Sequence, residues 1–307
     1  MTKSAAKPKS VRSLRKAGSM RRKAGEWMTH TAYLTPSLAG VMLFFFLPLI
    51  MIAYNSTMKS ALNNEFVGLK NYTDVLNNKA FLLAGRNTLL FSALAVPLAV
   101  ILALLLALLL NTNLPGRSWF RSIFLNPMMV PVASIVLIWQ VVFSFNGTLN
   151  SFLGGFGLDK IDWMKSDWSR LVILLLFLWK NLGYNMVLFL SALNNVPAEL
   201  LDSAKIDGAN SIKRFTHVSL VYLSPTIFFV GIMSLINSFK IFREVYLLTG
   251  NYPYDALYLL QHFMNNAFRD LDYQKLSSAA IIMCVAMIII VGTLFLAESR
   301  IGKDVEE

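Results

Sequence analysis

The chain has 307 residues, of which 56% are hydrophobic and only 15% charged, and its mean hydropathy is +0.55. Soluble domains of this size do not carry that balance, so a water-soluble enzyme or binding module is excluded and a polytopic membrane protein remains. The formal net charge of +11 does not point to nucleic acid. Nine of the positive charges sit in one tail beside an apolar segment, where attraction to anionic lipid accounts for them.

In chain order, the first element is that tail, residues 1–30, with Lys3, Lys7, Lys9, Arg12, Arg15, Lys16, Arg21, Arg22 and Lys23 and no acid before Lys23. Six segments follow that are apolar and about 20 residues long, the length a hydrocarbon core requires. They are read as helices at Thr35 to Tyr54, Thr88 to Leu110, Ile123 to Phe143, Leu171 to Leu193, Ser219 to Leu248 and Ser277 to Ala297. The expected organisation is therefore all-α: a basic tail (1–30), one six-helix transmembrane domain (31–298) and a short tail (299–307). Short flanks rich in Lys and Arg face the cytoplasm. That rule puts both termini inside, together with Arg117, Arg121, Lys205, Lys213 and Arg214, and leaves the charge-balanced loops outside. The first apolar run is too long for a signal peptide and is read as a retained helix. Cys284 is the sole cysteine, and His30, His217 and His262 lack metal-ligand spacing, so neither a disulfide nor a metal site is expected. Trp163 and Trp168 are expected in an interfacial aromatic belt.

Between spans four and five lies a polar interruption, residues 197–217, that reads as two short surface helices. Pro197 fits a first helical turn, Gly208 the end of one helix, and Asn210 or Ser211 the cap of the next. The segment resembles the "EAA" coupling loop of bacterial ATP-binding-cassette import permeases, whose pattern is Glu-Ala-Ala, three residues, then Gly. Here the matching residues are Asp202, Ser203, Ala204 and Gly208, with Asp for Glu, Ser at the second position, and Val221 where the family usually has proline. The likeness extends from about Tyr33 to Glu298 and is specifically to the carbohydrate-uptake branch. It is carried by 66–72 (FVGLKNY), 87–91 (NTLLF), 103–111 (ALLLALLLN), 117–121 (RSWFR), 239–242 (FKIF) and 246–250 (YLLTG). After Gly250 the family often has Gly-Gly-Pro, whereas this chain has Asn251, Tyr252 and Pro253.

The resemblance implies a division of labour. The chain has no Gly-x4-Gly-Lys-Ser/Thr loop to cradle phosphates, so it binds no ATP by that chemistry. ATP and Mg would be held by two separate ATPase subunits. A second homologous permease would complete the path, an extracellular binding protein would deliver the solute, and the loop at Asp202, Ser203, Ala204 and Gly208 would dock on an ATPase. The location implied is a bacterial cell membrane. No catalytic residue is expected.

Two polar faces within spans are candidates for the path. In span four, Asn181 and Asn185 share a face at i and i+4, flanked by Lys180 and Tyr184. Amides and an aromatic ring can read sugar hydroxyls and a sugar face, but such groups also serve as glue between helices. In span five, Asn237, Lys240 and Glu244 fall on one face, and Lys240 and Glu244, spaced i to i+4, either compensate each other or point into water. Their charge exceeds what a neutral sugar needs. The same machinery importing glycerol-phosphate or another small polar solute is therefore an alternative to an oligosaccharide. A secondary transporter is less favoured because no repeat halves are visible.

Overall fold

A computed structural model describes residues 33–60, 65–112 and 115–306, with side chains as far as Glu298. The basic stretch 1–30 and the side chains of Arg300 and Lys303 lie outside the described residues. The chain divides into two units, Met1–Asn55 and Ser56–Glu307. In the first, the helix α1 (Tyr33–Ser56, its last residue opening the second unit) is apolar along its length, contains a π-helical turn at Met42–Phe46, and exposes Phe44 and Phe45 as a lipid-facing helix would.

The second unit is helical. Its elements are α2 (Lys70–Leu76), α3 (Lys79–Leu110), α4 (Arg117–Met129), α5 (Val132–Phe143), α6 (Thr148–Gly154), α7 (Ser169–Asn194), α8 (Ala198–Ile206), α9 (Ser211–Arg214), α10 (Leu220–Lys240), α11 (Phe242–Thr249), α12 (Leu260–Arg269) and α13 (Tyr273–Glu306). Extended backbone pairs only at an isolated bridge between Met58 and Phe66 among the described residues. Among the described residues, six stretches are long and apolar enough to cross a membrane: Tyr33–Ser56, Lys79–Leu110, Val132–Gly154, Ser169–Asn194, Ser211–Thr249 and Tyr273–Glu298.

Two expected boundaries shift for identifiable reasons. The second span begins nine residues before Thr88, at Lys79, because Asn78 caps it: its Oδ1 accepts the N–H groups of Ala80 (2.9 Å) and Phe81 (3.3 Å). At 32 residues α3 is roughly 48 Å long, more than the ~30 Å hydrocarbon core, so the added turns stand beyond it or the helix tilts. The third span is not one helix from Ile123 to Phe143. It breaks at Val130 and Pro131, both extended (ψ 132° and 139°). Proline pushes its predecessor out of the helical region and supplies no N–H.

In lipid, helices gain little from hiding apolar surface, and close packing of small residues holds them together. Here α3 presents Ala84, Thr88, Ala95, Ala99, Ala103 and Ala107, all buried, on one seam. Against it α7 packs Ile173, Leu176 and Phe177 near Ala95 and Ala99, then Met186, Phe189 and Leu190 near Ala103 and Ala107. On another face of α7, Gly183 lies so close to α4 that a Cβ there would stand 1.8 Å from the carbonyl oxygen of Phe124. Trp163 leaves the expected aromatic belt: it is buried, and its Nε1 donates to Asn150 Oδ1 at 2.9 Å, pinning the loop before α7, while Trp168 is exposed.

Candidate functional site

Three polar rungs join α7 to the chain from α10 to α11. Lys180 Nζ donates to Glu244 Oε1. Asn237 Nδ2 donates to Asn181 Oδ1 at 2.9 Å, while Asn181 returns its own N–H to the Phe177 carbonyl at 2.8 Å. Asn185 Nδ2 donates to Ser234 Oγ at 2.9 Å. The numbering rises along α7 and falls along its partner, so the strands of this ladder are antiparallel. Lys180 lies roughly 16 Å from the start of α7 at 1.5 Å per residue, near its middle.

Of the two alternatives for Lys240 and Glu244, mutual compensation does not occur. Helix α10 ends at Lys240, Ile241 makes a turn (ψ −18°), and α11 starts afresh at Phe242, so the two charges no longer stand one turn apart on a continuous helix. Glu244 is instead buried (2% exposed) against Lys180, which is 21% exposed, and Lys240 is left exposed. Arg243 Nη2 also approaches Glu244 Oε1, at 3.8 Å, but is 66% exposed. Oε2 of Glu244 has no hydrogen-bond partner among the described residues.

Beside the ladder is a cavity of about 670 Å³. Of the seven side chains expected on a path, Lys180, Asn181, Tyr184, Asn237, Lys240 and Glu244 line it, with Phe177 and Met233 as apolar wall. Asn185 does not; it is buried one turn further along, where its bond to Ser234 makes it interhelical glue. The cavity also takes Arg243 and Gln261. Arg243 was legible as the neighbour of Glu244. Gln261 comes from α12, and no local signal marks it. Ser234 continues the face of Asn237 by one more turn, and extending the polar spacing backwards would have found it.

Next to Gln261, His262 is fully buried between the rings of Phe242 (centroids 4.7 Å apart) and Tyr258 (5.8 Å). The Leu259 N–H donates to its Nδ1 at 3.2 Å, so the proton of the neutral ring resides on Nε2, which has no partner among the described residues. Burial disfavours the imidazolium and lowers the pKa from 6.5 to about 4. Among the described residues no three His, Cys, Asp or Glu side chains gather as a metal site would require.

The polar interruption begins three residues past the end of α7, roughly 20 Å along that helix from Lys180. Pro197 is the residue before α8 (ψ 128°), not inside its first turn. Gly208 takes φ +78°, and the N–H groups of Gly208 and Ala209 bond back to the carbonyls of Lys205 (3.1 Å) and Ala204 (2.9 Å), the two-bond left-handed ending that glycine favours. Asn210 then caps α9 by accepting the Lys213 N–H at 2.8 Å, and α9 is not the separate surface helix expected: it continues through a π-helical turn at Phe215–Ser219 into α10. No residue of α8 or α9 is buried, and Ile206 and Ile212 are 87% and 73% exposed. Asp202 and Ser203 are exposed and Ala204 is half-buried.

Over residues 95–300 the chain matches the family described as binding-protein-dependent transport system inner membrane component. It is 30% identical over 228 residues to the arabinooligosaccharides transport system permease protein AraP of Bacillus subtilis (strain 168), covering 71% of each chain. It is 29% identical over 261 residues to the sn-glycerol-3-phosphate transport system permease protein UgpA of Agrobacterium fabrum (strain C58 / ATCC 33970), covering 82% of this chain and 88% of that one. Among solved structures it is similar to a chain of a bacterial alginate ABC transporter in complex with alginate pentasaccharide-bound periplasmic protein: TM-score 0.79, 21% identity, 92% of this chain and 98% of the other. At that identity the likeness is one of fold.

Proposed function

We propose that this chain, which belongs to the family of binding-protein-dependent transport system inner membrane components, forms half of the translocation path of an ATP-driven importer for a carbohydrate. It is a multi-pass membrane protein and a permease subunit; with no phosphate-cradling loop it leaves ATP hydrolysis to a separate subunit. The observation that carries the path is the cavity at mid-length of α7, where amides, an aromatic ring and charged groups from two spans face one space. Intramembrane polar groups are costly unless they meet partners or water, and a wet cavity meets that need. The relative named for arabinooligosaccharides supports a saccharide as solute.

Charge bias in the flanks supports the orientation, and membership of the family supports the other subunits. Both termini and the loop of Asp202, Ser203, Ala204 and Gly208 face the cytoplasm of a bacterial cell. There α8 and α9, with their exposed apolar side chains, dock on one of two ATPase subunits, which hold ATP and Mg. A second homologous permease completes the path, and an extracellular binding protein loads it. The helices transmit displacement because their backbone hydrogen bonds are internal.

The test is proteoliposome uptake with all subunits present. Asn237→Trp fills the cavity and is expected to abolish most uptake at normal complex yield. Gly208→Asp puts a side chain and a charge at a left-handed position, and is expected to uncouple ATP hydrolysis from uptake. Normal uptake by the Asn237→Trp complex would sink the path; normal uptake by the Gly208→Asp complex would sink the coupling role.

A further inference from the structure

The charges around the cavity do not balance. Lys180, Lys240 and Arg243 stand against the single carboxylate of Glu244. That carboxylate is buried and taken by Lys180, its Oε1 receiving the ammonium. Lys240 has no acidic partner among the described residues. Arg243 reaches Glu244 only at 3.8 Å and keeps most of its guanidinium exposed. With three cations sharing one carboxylate, the wall of a cavity within a transmembrane unit keeps an excess of positive charge, which is unfavourable unless something of opposite sign or water meets it. A neutral saccharide needs amides and an aromatic face, which Asn181, Asn237 and Tyr184 already supply; it needs no free guanidinium. Arg presents a donor fork that fits a carboxylate or phosphate, and Lys adds a point charge beside it.

We propose that the solute passing this cavity carries an anionic group, a carboxylate or a phosphate, recognised by Lys240 and Arg243 while Lys180 stays committed to Glu244. This rests on the cavity being the path. The two halves of the recognition then separate: the polar residues of α7 and Asn237 read hydroxyls, and the cations beyond them, Lys240 at the end of α10 and Arg243 at the start of α11, read charge.

The experiment uses the assembled importer in proteoliposomes and three labelled probes: a neutral arabinooligosaccharide, an oligogalacturonate and glycerol 3-phosphate. Uptake of one or both anionic probes and not of the neutral one is expected, and which of the two is taken identifies the group. The pair Lys240→Gln and Arg243→Gln should lower that uptake about tenfold or more at unchanged complex yield, the range expected for losing a charge-assisted contact. Lys240→Arg with Arg243→Lys should retain most of it. Uptake of the neutral probe alone, or full uptake by the Gln pair, overturns the inference. A fall in complex yield in the Gln pair overturns it too, since the cations would then be meeting protein. The failure of the path reading looks different: Asn237→Trp would leave uptake of every probe intact, whereas this inference fails alone if Asn237→Trp blocks uptake and the Gln pair does not.

Discussion

Helix α7 meets its neighbours in two opposite ways. Towards α3 it packs large apolar side chains on a seam of alanines, and towards α10 and α11 it offers Lys180, Asn181 and Asn185 to three polar partners. The seam is held by shape: small residues let backbones approach, and every added methylene must find room. The ladder is held by chemistry and leaves space, because polar side chains that satisfy each other span a gap that dispersion cannot. One face of α7 is close-packed on the alanine seam, while the other combines apolar contacts to Leu223, Val230 and Val245 with the polar ladder beside the cavity.

The largest test of this contrast lies in the ladder. Glu244→Ala strands Lys180 in the bundle, and breaking a buried pair costs about 3–5 kcal/mol. Removing both charges in a Lys180→Met, Glu244→Met pair should restore most of the stability, measured by thermal unfolding of the detergent-solubilised complex. If the pair is as unstable as Glu244→Ala, the rung is not an isolated interaction and the contrast fails.

A second test is pH, acting where the two regions adjoin. His262, in the first turn of α12, packs on Phe242 of α11, and the Leu260 N–H of the same turn donates to Thr88 on the seam at 3.0 Å. Its folded pKa of about 4 lies below the unfolded 6.5, so the unfolded chain binds the extra proton in that window. Its contribution to stability is complete above about pH 6.5 and declines as pH falls towards 4, by about 3 kcal/mol in all. His262→Phe should flatten the dependence of Tm on pH between those limits; an unchanged slope would assign it elsewhere. The smallest effect is expected in the seam, where Ala99→Leu should cost about 1–3 kcal/mol by overpacking with no effect on which solute is taken up. A change of solute preference would mean that seam and cavity are not separate.

The spans themselves were legible because apolar length is a global property that survives small errors of boundary. The boundaries were not, because they depend on single residues: Asn78 extends α3 past Arg86, a charge that interrupts the apolar run without interrupting the helix. Nor were the breaks. Pro97, Pro127 and Pro225 lie inside helices while Pro131 ends one, so proline alone does not locate an interruption. Ile241 has neither Gly nor Pro beside it, which is why Lys240 and Glu244 read as one face. Spacing along a helix shows which residues share a face, and so Asn181 and Asn237 could be found. It does not show which face opposes which, and so Lys180 could not be matched to Glu244, 64 residues away. The docking role of 202–208 came from resemblance to a coupling loop, and the surface these residues would meet belongs to another chain.

The ladder also limits how this protein can be recombined. Each rung draws one side chain from α7 and one from the segment 234–244, so a chimaera that takes α7 from one permease and α10 from another keeps its rungs only if both parents use the same chemistry at both ends. The alanine seam imposes no such pairing. Exchanges that cut between α3 and α7 should therefore be tolerated far more often than exchanges that cut between α7 and α10, and substitutions at 180 and 244 should travel together as lineages diverge.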